Sequence, residues 1–389
     1  MIQSQLMDRI RESFRNEFSR VPEVWADAGG RVNIIGEHTD YHDGFVLPAA
    51  IDLRTCAVAA GRDDGILRIH AVDFGGTVEI ALTGLKPFER IDWRSYTCGP
   101  FWAWIRSGRP FSGADVAVGG DVPSGGGLSS SASVEVSLVG IAAGLSLSAP
   151  PCPDVAAIAR TAENLFCRVP CGIMDQMASA CGHEGKALLL DCRTLQATLV
   201  DVPAGWVLVV ADSGVRHSLA GGEYARRQKE CADGMSFVVN SFPTVRAARD
   251  VSMEMLESVR QGMSEVSFRR LRHAVSENDR TVRAAAALQA GDVAEVGLLM
   301  HGSHRSLAHD YEVSCAELDH LVEIASRIDG CAGARLTGAG FGGNTVNLVR
   351  QDAAVDFCDR LAVEYRGATG IESVVRVVRP ASGLLSGRF

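Results

Sequence analysis

The stretch Asp121-Val122-Pro123-Ser124-Gly125-Gly126-Gly127-Leu128-Ser129-Ser130-Ser131-Ala132 constrains this chain more than any other. Three glycines and three serines pass directly into Val134, Val136, Leu138, Val139 and Ile141. Apolar residues at that density predict a buried helix whose N-terminus opens out of the glycine loop. Glycine lets the backbone come close to a ligand, and a helix N-terminus presents free N–H groups at the positive end of a dipole. Such a loop suits an anion, above all a phosphate chain; a flexible turn ahead of a core helix is the plainer alternative. A Walker A loop is excluded, because Leu128 and Ser129 follow the last glycine where Lys and Ser or Thr are required.

The chain around this loop is 389 residues long, 47% hydrophobic and 22% charged, enough for two domains with cores of their own. A formal net charge of -9 argues against nucleic acid or an anionic membrane as the main partner. The eleven cysteines form no Cys-x-x-Cys pair and sit mostly in apolar stretches, as reduced thiols of a cytosolic protein do. Cys167 and Cys171 are close in sequence, but no second pair or His cluster completes a zinc site. The opening Met1-Ile2-Gln3-Ser4-Gln5-Leu6 lacks a basic segment before an apolar one, so a cytoplasmic location is expected. No apolar run approaches the length of a membrane span.

Taken in order, Ile2, Leu6, Ile10, Phe14 and Phe18 predict an amphipathic helix over 2–18. A strand then runs into a polar cluster holding Arg31, Asn33, Glu37, His38 and Asp40, punctuated by Gly29, Gly30, Gly36 and Gly44. Solvated loop charges would explain it, yet two carboxylates, an imidazole and a phenol between apolar strands also match the hydroxyls of a polyol such as a sugar. Strands are predicted at 45–51, 55–60, 66–70, 77–82 and 114–118, and Pro100 is expected to open a helix. Residues 154–166 read as a helix with Asp154 as its cap. Asp175 stands alone in the apolar segment 169–178, where a carboxylate is costly unless paired or used, as a general base or as a helix cap. Strands at 187–190, 197–202 and 206–211 follow, then a helix over 221–235 and a largely helical region from about 250. Strands at 334–336, 345–349 and 374–378 with a helix at 353–365 complete a second α+β unit. The turn Gly338-Ala339-Gly340-Phe341-Gly342-Gly343 matches G-x-G-x-x-G, but a strand follows it, so it predicts close backbone approach and not a dinucleotide site.

Pro123 to Ala132 resembles the ATP loop of the GHMP small-molecule kinases, the family of galactokinase, homoserine kinase, mevalonate kinase and phosphomevalonate kinase. Gly30-Arg31-Val32-Asn33-Ile34-Ile35-Gly36-Glu37-His38-Thr39-Asp40-Tyr41 resembles the more specific galactokinase signature, and Leu336 to Gly343 resembles the third GHMP motif. Cys171-Gly172-Ile173-Met174-Asp175-Gln176 and Glu223-Tyr224-Ala225-Arg226-Arg227 are similar to galactokinase segments as well. The resemblance implies a two-lobed α+β fold: an N-terminal mixed-sheet lobe over 1–200 with the ATP loop, a C-terminal α+β lobe over 201–389, and the active site between them. It implies transfer of the γ-phosphoryl of MgATP to the anomeric hydroxyl of D-galactose.

Carried over residue by residue, Glu37, His38 and Asp40 hold sugar hydroxyls with Gly172 and Tyr224, and Asp175 takes the proton of the anomeric hydroxyl. Arg31 keeps Asp175 ionised and stabilises charge on the transferred group. Gly125, Gly126, Gly127, Leu128, Ser129, Ser130 and Ser131 cradle the phosphates, Trp93 lies beside the base, and Ser131 and Glu163 hold Mg²⁺. Small molecules are the expected partners, with neither nucleic acid nor membrane among them. His42, Ala339, Asn344 and residues 98–104 depart from the usual pattern, at positions not expected to touch the chemistry. A kinase for another sugar, such as N-acetylgalactosamine or L-arabinose, and a galactose- and ATP-binding sensor without catalysis are the alternatives.

Overall fold

The computed structural model describes residues 2–216 and 220–389. In chain order its first strands are β1 (Val24–Asn33), β2 (Phe45–Val46), β3 (Pro48–Gly61), β4 (Ile66–Ala71), β5 (Gly76–Ala81) and β6 (Ala114–Gly120). Then come β7 (Lys186–Asp191), β8 (Ala197–Asp201), β9 (Trp206–Asp212), β10 (Cys331–Thr337), β11 (Asn344–Arg350), β12 (Val375–Val378) and β13 (Leu385–Arg388). The helices are α1 (Ile2–Phe18), α2 (Trp93–Arg106), α3 (Ser130–Leu145), α4 (Cys152–Thr161), α5 (Met174–Cys181) and α6 (Ala220–Ser241). They continue as α7 (Met253–Ser258), α8 (Glu265–Ala290), α9 (Val293–Ser306), α10 (Ala316–Ala325) and α11 (Ala354–Thr369). None of the described helices is long and apolar enough to cross a membrane.

The first sheet has the order β13-β1-β3-β6-β4-β5, antiparallel throughout except for the β4–β6 pair. The continuous apolar run of β3 is explained by two covered faces. Cys56, Val58 and Ala60 pack against Leu6, Ile10, Phe14 and Phe18 of α1. Ala57 and Ala59, on the opposite side of the pleat, join a core with α2, α3, α4 and α5. Helix α3 is apolar around its circumference because it lies inside that layer, with Val136, Leu138, Val139 and Ile141 all buried. Ile2, counted in the α1 stripe, lies outside the residues whose side chains are described.

The second sheet, β10-β11-β9-β12, divides its side chains in the same way. Val207, Val209 and Ala211 of β9 meet α10 and α11. Leu208 and Val210 face α8 and α9, and share that core with Val32, Ile34, Ile35, Leu47, Ala49, Ile51 and Leu128. One hydrophobic core therefore runs through both lobes. The last strand, β13, returns to pair with β1, so the final residues of the 201–389 unit lie in the first sheet.

Several elements differ from the sequence expectation. Helix α2 starts at Trp93 and carries Pro100 inside it, because Asp92 caps it by accepting from Arg94 N at 2.9 Å. Asp154 is not a cap: α4 starts two residues earlier behind Pro151, and after Thr161 the chain widens into a π-turn, Ala162–Phe166. The expected strands at 45–51 and 55–60 are joined differently, β2 being separate and β3 running from Pro48 to Gly61. Arg54 makes that long strand possible, since it is buried in an ion pair with Asp27 and donates to the carbonyls of Ser382 and Gly383, each at 2.7 Å.

Helix α8 is the anvil for the polar segment after β1. Glu277, fully buried, accepts from Gly36 N at 3.0 Å and Ser303 Oγ at 2.5 Å, and pairs with Arg280 at 2.8 Å. Asn278 Oδ1 accepts from Phe45 N at 2.9 Å, holding the other end of the segment. Burial alone would raise the Glu277 carboxyl, but Arg280, His273 and Arg335 bring it down to about 2. Its stabilising share is present above about 4.5 and is lost as pH falls toward 2. Glu277→Leu strands Arg280 and the Gly36 amide, and should cost about 3–5 kcal/mol in denaturant unfolding; a loss below about 1 kcal/mol would show that the segment does not lean on α8.

Candidate active site

Arg31 lies at the end of β1, just past the shift in register between Gly29 and Arg31. Its Nε donates to Asp175 Oδ1 at 2.7 Å and its Nη1 to the Gly127 carbonyl at 2.6 Å. Its backbone N–H donates to the Leu128 carbonyl at 3.0 Å. One side chain thus joins the acid at the start of α5 to the glycine loop before α3. Asp175 is not isolated: its second oxygen accepts from Ser129 Oγ at 2.5 Å. Ser129 reaches it from a left-handed backbone, φ 57° and ψ 48°, which a non-glycine residue holds only under constraint.

Two cavities meet at this pair. The smaller, about 250 Å³, is lined by Glu37, His38, Asp40, Gly172, Glu163 and Tyr224. The larger, about 500 Å³, is lined by Trp93, Tyr96, Gly125, Gly127, Ser129, Ser130 and Ser131. Arg31, Asp175 and Ala339 line both. Trp93 stands near-parallel to Phe74 across 6.3 Å, an aromatic wall for a flat base.

Glycine is required where backbones close on one another. Gly125 and Gly127 have φ of 70° and 76°, and a side chain on Gly127 would meet the Thr337 carbonyl. A Cβ on Gly172 would collide with the Asp40 carboxylate, so the glycine makes room for the acid that faces the small cavity. Gly126 and Leu128 are exceptions among the loop residues. Gly126 gives its carbonyl to Asn344 Nδ2, and the Leu128 side chain turns away into the core shared by both lobes. Of the departures expected to stand clear of the chemistry, Asn344 therefore touches the loop and Ala339 lines the cavities. His42 is packed edge-on against Tyr41 at 4.5 Å.

Glu37 is buried and works as a clamp, its Oε1 accepting from Gly338 N at 2.7 Å and facing Arg335 at 3.3 Å. Burial, with Asp175 and Glu37 alongside, pushes the Asp40 carboxyl up to about 7. Glu163 projects from the π-turn, accepts from Gln176 Nε2 at 2.6 Å, and is held at about 7 by burial and by Asp175. Burial and then Glu163 push Glu135, whose Oε1 has no partner among the described residues, well above the usual carboxyl range.

Among the described residues no three His, Cys, Asp or Glu side chains converge on a metal site. Ser131 nevertheless lines the larger cavity and Glu163 the smaller, and the Ser131 hydroxyl is among the groups that lower the Glu163 carboxyl against its burial. One carboxylate and one hydroxyl beside a phosphate site are a hard-oxygen set that fits Mg²⁺, which takes few protein ligands and completes its shell with water and phosphate. Sequence reasoning missed Arg216, which pairs with Asp212 at 2.6 Å and lines a third cavity with Gly125 and Gly127. Its signal was an acid and an arginine four residues apart in the turn after an apolar strand, Asp212-Ser213-Gly214-Val215-Arg216. Tyr96 and Thr97 were missed because Pro100 displaced the expected helix start.

Three family models match the chain: the galactokinase galactose-binding signature over 12–61, the GHMP kinases N-terminal domain over 100–183, and the GHMP kinases C-terminal region over 284–366. A galactokinase of Roseiflexus sp. (strain RS-1) is 42% identical over 375 residues, 96% of this chain and 96% of its own. One from Chloroflexus aggregans is 42% identical over 364 residues, 94% of this chain and 93% of its own. Lactococcus lactis galactokinase complexed with galactose superposes with a TM-score of 0.93 at 31% identity, covering 99% of this chain and 100% of that one. Mevalonate kinase of Methanococcus jannaschii, with a TM-score of 0.65 and 15% identity over 92% of this chain and 98% of its own, shares the fold alone.

The Asp40 carboxyl gives a pH signature. Its folded value, about 7, lies above the ordinary aspartate value of 3.8, so the folded protein holds this proton more tightly and loses stability as pH rises from about 4 to 7. Asp40→Asn mimics the protonated form. In the ligand-free protein it should raise Tm at pH 8 by more than at pH 5; an equal gain at both would show that the carboxyl titrates normally.

Proposed function

The chain belongs to the galactokinase family of the GHMP kinases, and on that premise we propose how its residues divide the transfer of the γ-phosphoryl of ATP to the anomeric hydroxyl of D-galactose. It has the two-lobed GHMP kinase fold and is an ATP-dependent sugar kinase. The observation that carries the reading is Arg31, which ties the acid Asp175 to the glycine loop where the two cavities meet.

Galactose occupies the smaller cavity. Glu37 and Asp40 accept from its hydroxyls, His38 and Tyr224 add polar contacts, and Gly172 leaves space for Asp40. ATP occupies the larger, with Trp93 beside the base and residues 125–131 around the phosphates. Gly125, Gly127 and Ser130 face that cavity, whereas Gly126 and Leu128 act through the backbone that shapes the loop. Ser131 and Glu163 would hold Mg²⁺, which supplies charge neutralisation on the phosphates.

The anomeric oxygen forms a bond to the γ-phosphorus as the bond to the ADP oxygen breaks, and its proton passes to Asp175. Phosphoryl transfer demands positioning and charge balance more than covalent help. Asp175 is positioned by Arg31 and Ser129, one on each oxygen, and so has one fixed orientation. Arg31 neutralises both the acid and the oxygens of the moving group. A cytoplasmic setting suits this use of ATP and the free cysteines.

Two experiments test the reading. In an ADP-release assay with MgATP, galactose should exceed N-acetylgalactosamine and L-arabinose in kcat/KM; a preference of about tenfold for either competitor, or binding of ATP with no turnover, would overturn it. Asp175→Ala and Arg31→Ala should each lower kcat by on the order of 10²-fold or more, and near-normal turnover in both would remove them from the mechanism.

A further inference from the structure

Two tyrosines, Tyr311 and Tyr41, continue in a row from His38 and have been given no part in the transfer described above. Tyr311 ends a second π-turn, Leu307–Tyr311, where the extra residue turns its fully buried ring toward the first lobe. Its hydroxyl is 2.9 Å from that of Tyr41, which is 2.7 Å from His38 Nδ1. Among the described residues Tyr41 is the only hydrogen-bond neighbour of the Tyr311 hydroxyl. The His273 ring is 4.7 Å away, but both its nitrogens are engaged, with Ser306 Oγ at 3.0 Å and the Glu37 carbonyl at 3.1 Å. His38 itself sits at a left-handed φ of 61°, with the Ala339 backbone beside its ring, and its buried Nε2 has no partner in hydrogen-bond geometry among the described residues.

Hydrogen counting gives this row a direction. Burial, and then His273, hold His38 well below its ordinary value, so the ring is neutral and carries one hydrogen. Were that hydrogen on Nδ1, it would be donated to Tyr41. Tyr41 would donate to Tyr311, and the Tyr311 hydrogen would be left buried without an acceptor, a costly arrangement. In the opposite sense every hydroxyl hydrogen is placed: Tyr311 donates to Tyr41, Tyr41 donates to Nδ1, and the ring hydrogen falls on Nε2. We propose that Tyr311 and Tyr41 are a positioning pair that fixes His38 as its Nε2–H tautomer, so that His38 donates a hydrogen bond to a sugar oxygen. This rests on the smaller cavity being the sugar site. There it supplies a fixed donor beside Glu37 and Asp40, so that one sugar oxygen is recognised as an acceptor.

The first test reads the unaltered protein, a variant serving only to assign its signals. In ¹⁵N-labelled protein the His38 resonances, assigned by comparison with His38→Gln, should show Nδ1 unprotonated and Nε2 protonated; the reverse pattern overturns the proposal. Saturating galactose should shift the Nε2–H signal. A protonated Nε2 indifferent to galactose overturns the sugar-site reading and the donor role with it, while leaving the tautomer assignment standing. Tyr41→Phe should raise KM for galactose by about tenfold with KM for ATP unchanged, and Tyr311→Phe by about two- to threefold. Because Tyr311 acts through Tyr41, the double variant should match Tyr41→Phe alone. Additive losses, or equal effects on both substrates, would reduce the pair to packing.

Discussion

The Arg31 guanidinium is the contact on which the rest of the site depends. A nearly buried cation carries a desolvation cost that only complete pairing offsets. Asp175 and the Gly127 carbonyl supply that pairing. The acid comes from the start of α5, the carbonyl from the loop before α3, and the arginine from β1, so three segments distant in sequence are brought into register by one planar group. Arginine suits this task because its donors diverge in a fixed plane, where a lysine would offer a single movable point. Charge balance and alignment thus come from the same atoms.

The two lobes are not independent bodies on either side of this contact. Arg335 donates to the Asn33 carbonyl at 2.9 Å, Thr337 Oγ1 accepts from Asn33 N at 3.1 Å, and Glu37 takes Gly338 N. The turn 338–343 lies against the glycine loop, with Gly338 and Gly343 in left-handed conformations that bring their backbones close to Gly127 and Gly126. Side chains there would force the loops apart and open the phosphate site. The glycines of both motifs are therefore one packing solution, and the hydrophobic core beneath them, from Val32 to Leu348, keeps the lobes at that distance.

The sequence was most legible where a local pattern carried the information. The glycine-serine run, its buried helix and the polar cluster from Arg31 to Asp40 could be read directly, because backbone freedom and apolar density are properties of neighbours in the chain. What could not be read came from partners far apart. Pro100 suggested a helix start because the rule for proline is local, whereas the actual start is decided by the Asp92 cap. Nothing in the sequence separates Glu277 from the other charges of its helix; only its place beneath Gly36 makes it structural. Asn344 looked like a peripheral departure, yet it grips the Gly126 carbonyl across the lobe boundary. The π-turns that aim Glu163 and Tyr311 leave no mark on hydrophobic periodicity at all.

The acids around the cleft show what this arrangement costs the empty protein. Asp40 and Glu163 are both held at about 7, and Glu135 well above the usual carboxyl range, chiefly by burial and then by neighbouring carboxylates. Among the described residues Asp175 has Arg31 and Glu37 has Arg335 within salt-bridge distance, whereas the others, Asp40, Glu163 and Glu135, have no arginine there. A fold optimised for stability alone would replace the others with apolar or amide side chains. Their retention makes sense if the missing partners arrive with the substrates, as sugar hydroxyls for Asp40 and a hard cation for Glu163. Binding then converts an electrostatic penalty into affinity. The stability forgone in the ligand-free state is returned when both substrates are bound.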